Sequence, residues 1–214
     1  MPRTLRPVRP DIPDDQLLGD MERYRLEALR LGASAAAVVK ASNIVVDERV
    51  RLKCRVPVCF GFGTSINCPP STPGPEEMRA VLANFRFGLL IRLDVPPQVI
   101  VRDRGTILER AGAYKKVFEL VSALESLAFY DGHYLAVGFA AGSCKSTYCY
   151  KTDCAALKGE RCRNELRSRP SMEAVGIDAY RLAAGAGWDI YPIGSDCTPG
   201  NIPRGTLLGL VLVD

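Results

Sequence analysis

The chain has 214 residues, 47% hydrophobic and 24% charged, with a formal net charge of +4. This is the make-up of a globular chain long enough to bury a core without disulfide staples. The charge is mild and interleaved in sign, so it supplies no basic face for nucleic acid. The single histidine, His133, excludes Cys2His2 fingers and multi-histidine metal sites and argues against a Ser-His-Asp triad.

Residues 1–12, with Arg3, Arg6 and Arg9, read as an irregular solvated arm, and residues 13–214 as one domain. The first fifteen residues hold no apolar run, so they carry no secretory signal. The longest apolar stretch, 207–213, is too short to span a bilayer. The expectation is a cytoplasmic, reducing location without membrane attachment.

From Pro13 a helix is predicted, with Leu17, Leu18, Met21, Tyr24, Ala28 and Leu29 at spacings of three and four and Gly32 at its end. Residues 35–39 read as a buried strand and 44–46 as a second short one. A charged and apolar alternation over 47–53 leads to Cys54. Pro75 opens a helix with Glu76 and Glu77 in its first turn and Met78, Val81, Leu82 and Phe85 inward. Residues 87–93 read as a central strand broken by Pro96 and Pro97, and 99–101 as an extended piece. Residues 106–128 form the longest predicted helix, Asp131-Gly132 a turn, and 134–139 a strand running into Cys144. A further helix is expected from the Ser171 cap to Gly185, and a hairpin from 189–193 and 206–213. This is an α/β pattern: a single domain on a mixed sheet, with two cysteine-rich loops at strand–helix junctions and a C-terminal hairpin.

The chemistry lies in the cysteines. Cys144, Cys149, Cys154 and Cys162 fall within nineteen residues, separated by four, four and seven. Four thiolates in one short loop bind metal or form two disulfides. Zinc sites favour pairs two to four residues apart, well separated; a [4Fe-4S] cubane is a larger object, and the wider, compact spacing favours it. Zinc and disulfides stay open as alternatives. Lys145, Lys151, Lys158, Arg161, Arg163, Arg167 and Arg169 lie in or after this loop. They suit an anionic cluster or an acidic partner protein.

A second group is Cys54, Cys59 and Cys68, separated by four and eight, around Gly61-Phe62-Gly63 and ahead of Pro69-Pro70. Glycines let backbone approach a bulky group, and a proline after a ligating cysteine is a feature of ferredoxin loops. Cys197, in the loop 194–204, is a fourth ligand for this group or an unrelated thiol. No Gly-x-Gly-x-x-Gly or Walker loop follows a strand, so neither NAD nor ATP is expected.

Gly142-Ser143-Cys144, the ladder to Cys162-Arg163, and residues 169–178 resemble the signature of the predicted metal-binding protein family, domain of unknown function 2284. Cys54, Cys59, Cys68-Pro69-Pro70 and residues 73–77 are similar to its N-terminal motif. The resemblance covers residues 14–213. It implies a prokaryotic metal protein with iron–sulfur clusters, at home in anaerobes, and it implies no particular reaction. Cys197 is not part of that pattern.

Three functions follow. The first is an iron–sulfur protein with one or two [4Fe-4S] clusters, acting in electron transfer or reductive activation of a redox partner protein. The second is an enzyme (a lyase, sulfur-transfer enzyme or reductase) using an open iron at Cys54, Cys59 and Cys68, with His133, Tyr148, Tyr150 and Glu173 at hand as acid/base groups. A structural role suits His133 better. The third is a zinc-stapled interaction module.

Overall fold

The structure is a computed structural model that describes residues 5–101 and 107–214. The elements in chain order are α1 (Asp14–Arg30), β1 (Ala35–Lys40), α2 (Glu48–Leu52), α3 (Pro75–Leu82), β2 (Phe87–Val95), α4 (Pro97–Ile100), α5 (Ile107–Tyr130), β3 (Val137–Phe139), α6 (Cys144–Tyr148), α7 (Ala179–Gly185) and β4 (Gly205–Val213). They form a single α/β domain around one sheet of order β1-β2-β4-β3.

The sheet is antiparallel at every strand pair rather than mixed. Leu90 of β2 lies opposite Ala37 of β1 on one side and Leu210 of β4 on the other. The predicted C-terminal hairpin does not form: β4 pairs with β2 along its whole length and with β3 at Leu210–Leu212. Residues 189–193 pair with neither and run as irregular backbone.

Helices cover both faces. On one, Leu17, Met21 and Tyr24 of α1 and Phe118, Val121 and Leu124 of α5 pack on Leu89, Ile91, Val211 and Val213. On the other, Met78 and Leu82 of α3, Met172, Ile177 and Leu182 meet Leu90, Leu208, Leu210 and Leu212. Burial on both faces is why β4 reads as an unbroken apolar run rather than an alternation.

Helix α1 lies where its apolar period places it, although Leu18 and Leu29 stay at the surface. The start of the long helix at Thr106 lies outside the described residues; its described part continues to Tyr130. The strand expected over 134–139 shrinks to Val137–Phe139. Val46 makes only an isolated bridge to Ile177, and residues 47–53 form the short helix α2, capped by Asp47 accepting from the Arg49 N–H. Of residues 99–101 only Val101 is extended: Val99 and Ile100 belong to α4, where Pro97 sits in the first turn and its fixed φ suits a helix. The helix expected from Ser171 is split. A 3-10 turn, Glu173–Val175, ends at Gly176, whose φ of 89° belongs to the left-handed region, and α7 restarts from the Asp178 cap.

Part of the expected solvated arm is docked. The Arg6 guanidinium reaches both oxygens of Asp20, at 2.8 and 2.9 Å, and the Arg6 backbone N–H donates to the Tyr130 carbonyl. Asp20 is buried, and His133 Nε2 lies 3.2 Å from it. His133 thus ties the end of α5 to α1, the structural role expected of it. Among the described residues no helix is long and apolar enough to cross a membrane.

Candidate metal centre

Strand β3 delivers the chain to the four-cysteine loop. Ala140 bridges to Ser171 and its N–H bonds the Pro170 carbonyl. Gly142 then turns with φ 69°, and a Cβ there would stand 2.7 Å from the Tyr114 ring. Ser143 caps α6, its hydroxyl accepting from the Lys145 N–H at 3.2 Å. The Lys145 ammonium donates to the carbonyls of Cys149 and Thr152 at 2.9 and 3.0 Å. That bracket folds the chain back after Cys149.

Cys144, Cys149, Cys154 and Cys162 all line one cavity of about 20 Å³. Among the described residues no histidine or carboxylate shares its wall; Lys145 and Arg163 do. Each sulfur has a polar partner. Cys144 Sγ lies 3.1 Å from the Ser65 hydroxyl and accepts from Asn67 Nδ2 at 3.5 Å. Cys149 accepts from Asn164 Nδ2 at 3.5 Å, and Cys162 lies 3.5 Å from the Ser168 hydroxyl. Burial opposes the Cys154 thiolate, but the N–H groups of Ile66, Leu157 and Ala156 and the Ser65 hydroxyl outweigh it and hold this thiol below the usual range. Burial pushes the Cys144 thiol up, against the pull of Ser65 and Asn67. Among the described residues no three His, Cys, Asp or Glu side chains converge on a single point at ion-ligating distance. The thiols ring the cavity instead.

Cys54, Cys59 and Cys68 are also brought near one another. Cys54 follows α2, and the Cys59 N–H bonds the Cys54 carbonyl at 3.0 Å. The Gly61 N–H reaches Cys59 Sγ at 3.5 Å. The Arg51 guanidinium gathers the carbonyls of Thr72, Pro73 and Ala174, fixing where the loop leaves. Burial pushes the Cys68 thiol up to about 11, with Cys144, Cys59 and Cys54 adding in the same direction. Burial likewise raises Cys54, with Cys59 and Glu173 adding to it.

The two loops touch through a reciprocal pair. Ser65 of the first meets Cys144 of the second, and Ser143 of the second meets Cys68 of the first at 3.3 Å. Cys197 stands apart from both groups. It lines a separate cleft, its sulfur accepting from the Gly194 N–H at 3.3 Å. All eight cysteines are free thiols.

Few of the basic residues after Cys144 face the cavity. Lys158 pairs with Asp153, Arg161 with Glu165 and Arg169 with Glu125. Of the acid/base candidates, Tyr148 lines the cavity, its buried hydroxyl without a hydrogen-bond partner among the described residues and its ring 5.4 Å from that of Phe118. Tyr150 is exposed, and Glu173 lines the cleft of Cys197. The residues that sequence reasoning missed are the sulfur partners: Ser65, Asn67, Ser143, Asn164 and Ser168. Their only signal is that small polar residues cluster within a few positions of Cys68, Cys144 and Cys162.

An all-thiol donor set, hydrogen-bond donors at the sulfurs and cations on the wall fit a soft metal held by thiolates with net negative charge. An α/β domain that carries such a cavity is a metal-binding protein. The chain belongs to the predicted metal-binding protein family, domain of unknown function 2284, whose model matches residues 37–213. No curated protein and no solved structure matches it.

Proposed function

We propose that the chain is an iron–sulfur protein in which Cys144, Cys149, Cys154 and Cys162 hold a [4Fe-4S] cluster. The observation that carries this is that these four thiols line one cavity, with no histidine or carboxylate on its wall among the described residues. When bound, such a cluster takes up and releases single electrons. The chain's own groups act on the sulfurs. Ser65, Asn67, Asn164 and Ser168 present O–H and N–H groups to them, which favours the more negative, reduced state and raises the potential.

The role is electron transfer to, or reductive activation of, a redox partner protein in a reducing cytoplasm, where eight free thiols persist. Tyr150 and Leu166, beside the four-cysteine loop, are 77% and 80% exposed. Apolar side chains so open, with Lys151 and Arg167 next to them in the chain, suit a docking face for an acidic partner.

A second reading gives Cys54, Cys59 and Cys68 a cluster of their own with one iron open to substrate. It is favoured by the closeness of these three and the separation of Cys197 from them.

Anaerobic purification followed by absorption and EPR of the reduced protein tests the proposal. A brown protein absorbing near roughly 400 nm, EPR-active on reduction, supports it. A colourless protein with stoichiometric zinc replaces it with the zinc-stapled module.

A further inference from the structure

The sheet ends on β1, whose outer side no described strand joins. The Ala41 N–H bonds the Arg86 carbonyl, and an antiparallel ladder alternates. Ala37 and Val39 therefore turn their backbone groups to β2, and Ala36 and Val38 turn theirs off the edge. No described residue bonds these outward N–H and C=O groups. A free edge is commonly guarded by charge, by proline or by a cover. Strand β1 runs Ala-Ala-Ala-Val-Val before its one charge, Lys40.

A matching stripe lies on the helix above it. Helix α1 packs over β1 and β2, and α5 over β4 and β3. The buried side of α1 carries Leu17, Met21, Tyr24 and Ala28. Its flank toward α5 carries Asp20 and Arg23, which meet His133 and Asp131 just beyond the end of α5. The opposite flank overhangs the free edge of β1. At spacings of four, three and four it carries Leu18, Glu22, Arg25 and Leu29. Leu18 and Leu29 are 46% and 37% exposed.

We infer that β1 and this flank of α1 form a two-fold interface with a second copy of the chain. Strand β1 pairs antiparallel with β1 of the second copy, joining two four-stranded sheets into one, and the two α1 helices pack antiparallel above the seam. The flank is self-complementary under that operation. Reversing α1 about its middle sets Leu18 against Leu29 of the second copy and Glu22 against its Arg25. Symmetry makes each contact twice. At ~1.5 Å per helical residue, the middle of this stripe lies about 10 Å from Arg30. At ~3.3 Å per strand residue, the middle of β1 lies about 8 Å from Ala35. The turn 31–34 joins those two ends, so one axis serves helix and strand together. Paired strands lie ~4.8 Å apart, and a helix seated between β1 and β2 then stands about 10 Å from its symmetry mate, the spacing of packed helices.

The thiols stay clear of this interface. Cys144 follows β3, at the opposite edge of the sheet, and Cys68 is tied to that loop through Ser143. The inference goes beyond the iron–sulfur reading and stands whatever metal the thiols hold.

Analytical ultracentrifugation of the full chain, purified anaerobically with its metal, tests it. The expected mass is twice the 23.3 kDa of the chain, falling toward the monomer on dilution. Glu22→Arg and Arg25→Glu each weaken the dimer by about tenfold or more, through like charges set face to face. Mixing those two variants restores it, because each charge then meets its opposite. Leu29→Glu weakens the dimer as well. So does Ala36→Pro, which removes an outward N–H and spares the ladder to β2. Hydrogen exchange at the Ala36 and Val38 amides is slow in the parent and fast in Leu29→Glu. Metal content and circular dichroism of the α1 variants match the parent, and these variants carry the test if Ala36→Pro does not fold. A parent protein that stays monomeric up to millimolar concentration overturns the inference. So does a dimer that none of the α1 substitutions weakens, or one in which Ala36 and Val38 exchange as fast as in the monomer.

Discussion

The Ser143 hydroxyl lies 3.3 Å from the Cys68 sulfur although the two are 75 residues apart in the chain. One residue further on, Cys144 meets Ser65 at 3.1 Å. Each cysteine loop thus supplies the polar partner for a cysteine of the other, so the two groups form one structural unit and a change in one loop is felt in the other.

Ser65 serves two sulfurs of the four-cysteine set, Cys144 and Cys154. Ser65→Ala leaves the ligands intact and removes donors that favour the reduced state. The midpoint potential of the proposed cluster falls, on the order of 20–60 mV where 59 mV is tenfold for one electron. Stability falls by about 1 kcal/mol for the lost hydrogen bonds. Redox titration followed by EPR checks the first effect and urea unfolding the second.

Cys197 lines a cleft of its own. Cys197→Ala leaves the metal content and reduced spectrum unchanged, whereas Cys68→Ala alters the spectrum of any centre held by Cys54 and Cys59. Metal analysis of the two variants side by side distinguishes them.

Gly142 carries both a φ of 69° and the Tyr114 ring at 2.7 Å from where a Cβ would stand. Gly142→Ala combines backbone strain with overpacking and costs roughly 2–4 kcal/mol. Because this turn aims Ser143 and Cys144, metal occupancy falls with it. Chemical denaturation and metal content, measured on the same preparation, report both.

The buried Asp20 carboxyl is opposed by burial but held below its usual range by Arg23, Arg6 and His133. A carboxyl with a depressed folded pKa stabilises the fold above its unfolded pKa, about 3.9, and loses that contribution as pH falls through the folded value. Asp20→Asn therefore destabilises by about 1.5–3 kcal/mol at pH 7, and the gap to the parent closes as pH drops below 4. Thermal unfolding across pH 3–7 follows it.

Much of this was legible in the chain. The period-3.6 stripes of α1 and α5 and the apolar run of β2 rest on local pattern, and they form where that pattern places them. The hairpin failed because pairing is non-local. The run that becomes β4 is a strand under either topology, and nothing in residues 189–193 reveals that β2 and β3 already flank it. The split at Gly176 was hidden for a similar reason: a mid-pattern glycine is tolerated in helices, and the groups packed at the left-handed turn, Pro75 and the Asp47 carbonyl at 3.2 and 3.4 Å from where a Cβ would stand, are remote in the chain. The cysteines announce themselves by type and spacing. Ser65 and Asn67 do not, since their partners lie 79 and 77 residues away.

The central claim is that Cys144, Cys149, Cys154 and Cys162 hold a cubane. The most direct measurement is the iron and acid-labile sulfide content of anaerobically purified protein, beside that of a Cys149→Ala/Cys154→Ala variant. The account predicts about four of each per chain, or about eight if the second group is also filled, with about four lost in the variant. Iron-free parent protein carrying stoichiometric zinc, or a variant that keeps all of its iron, contradicts it.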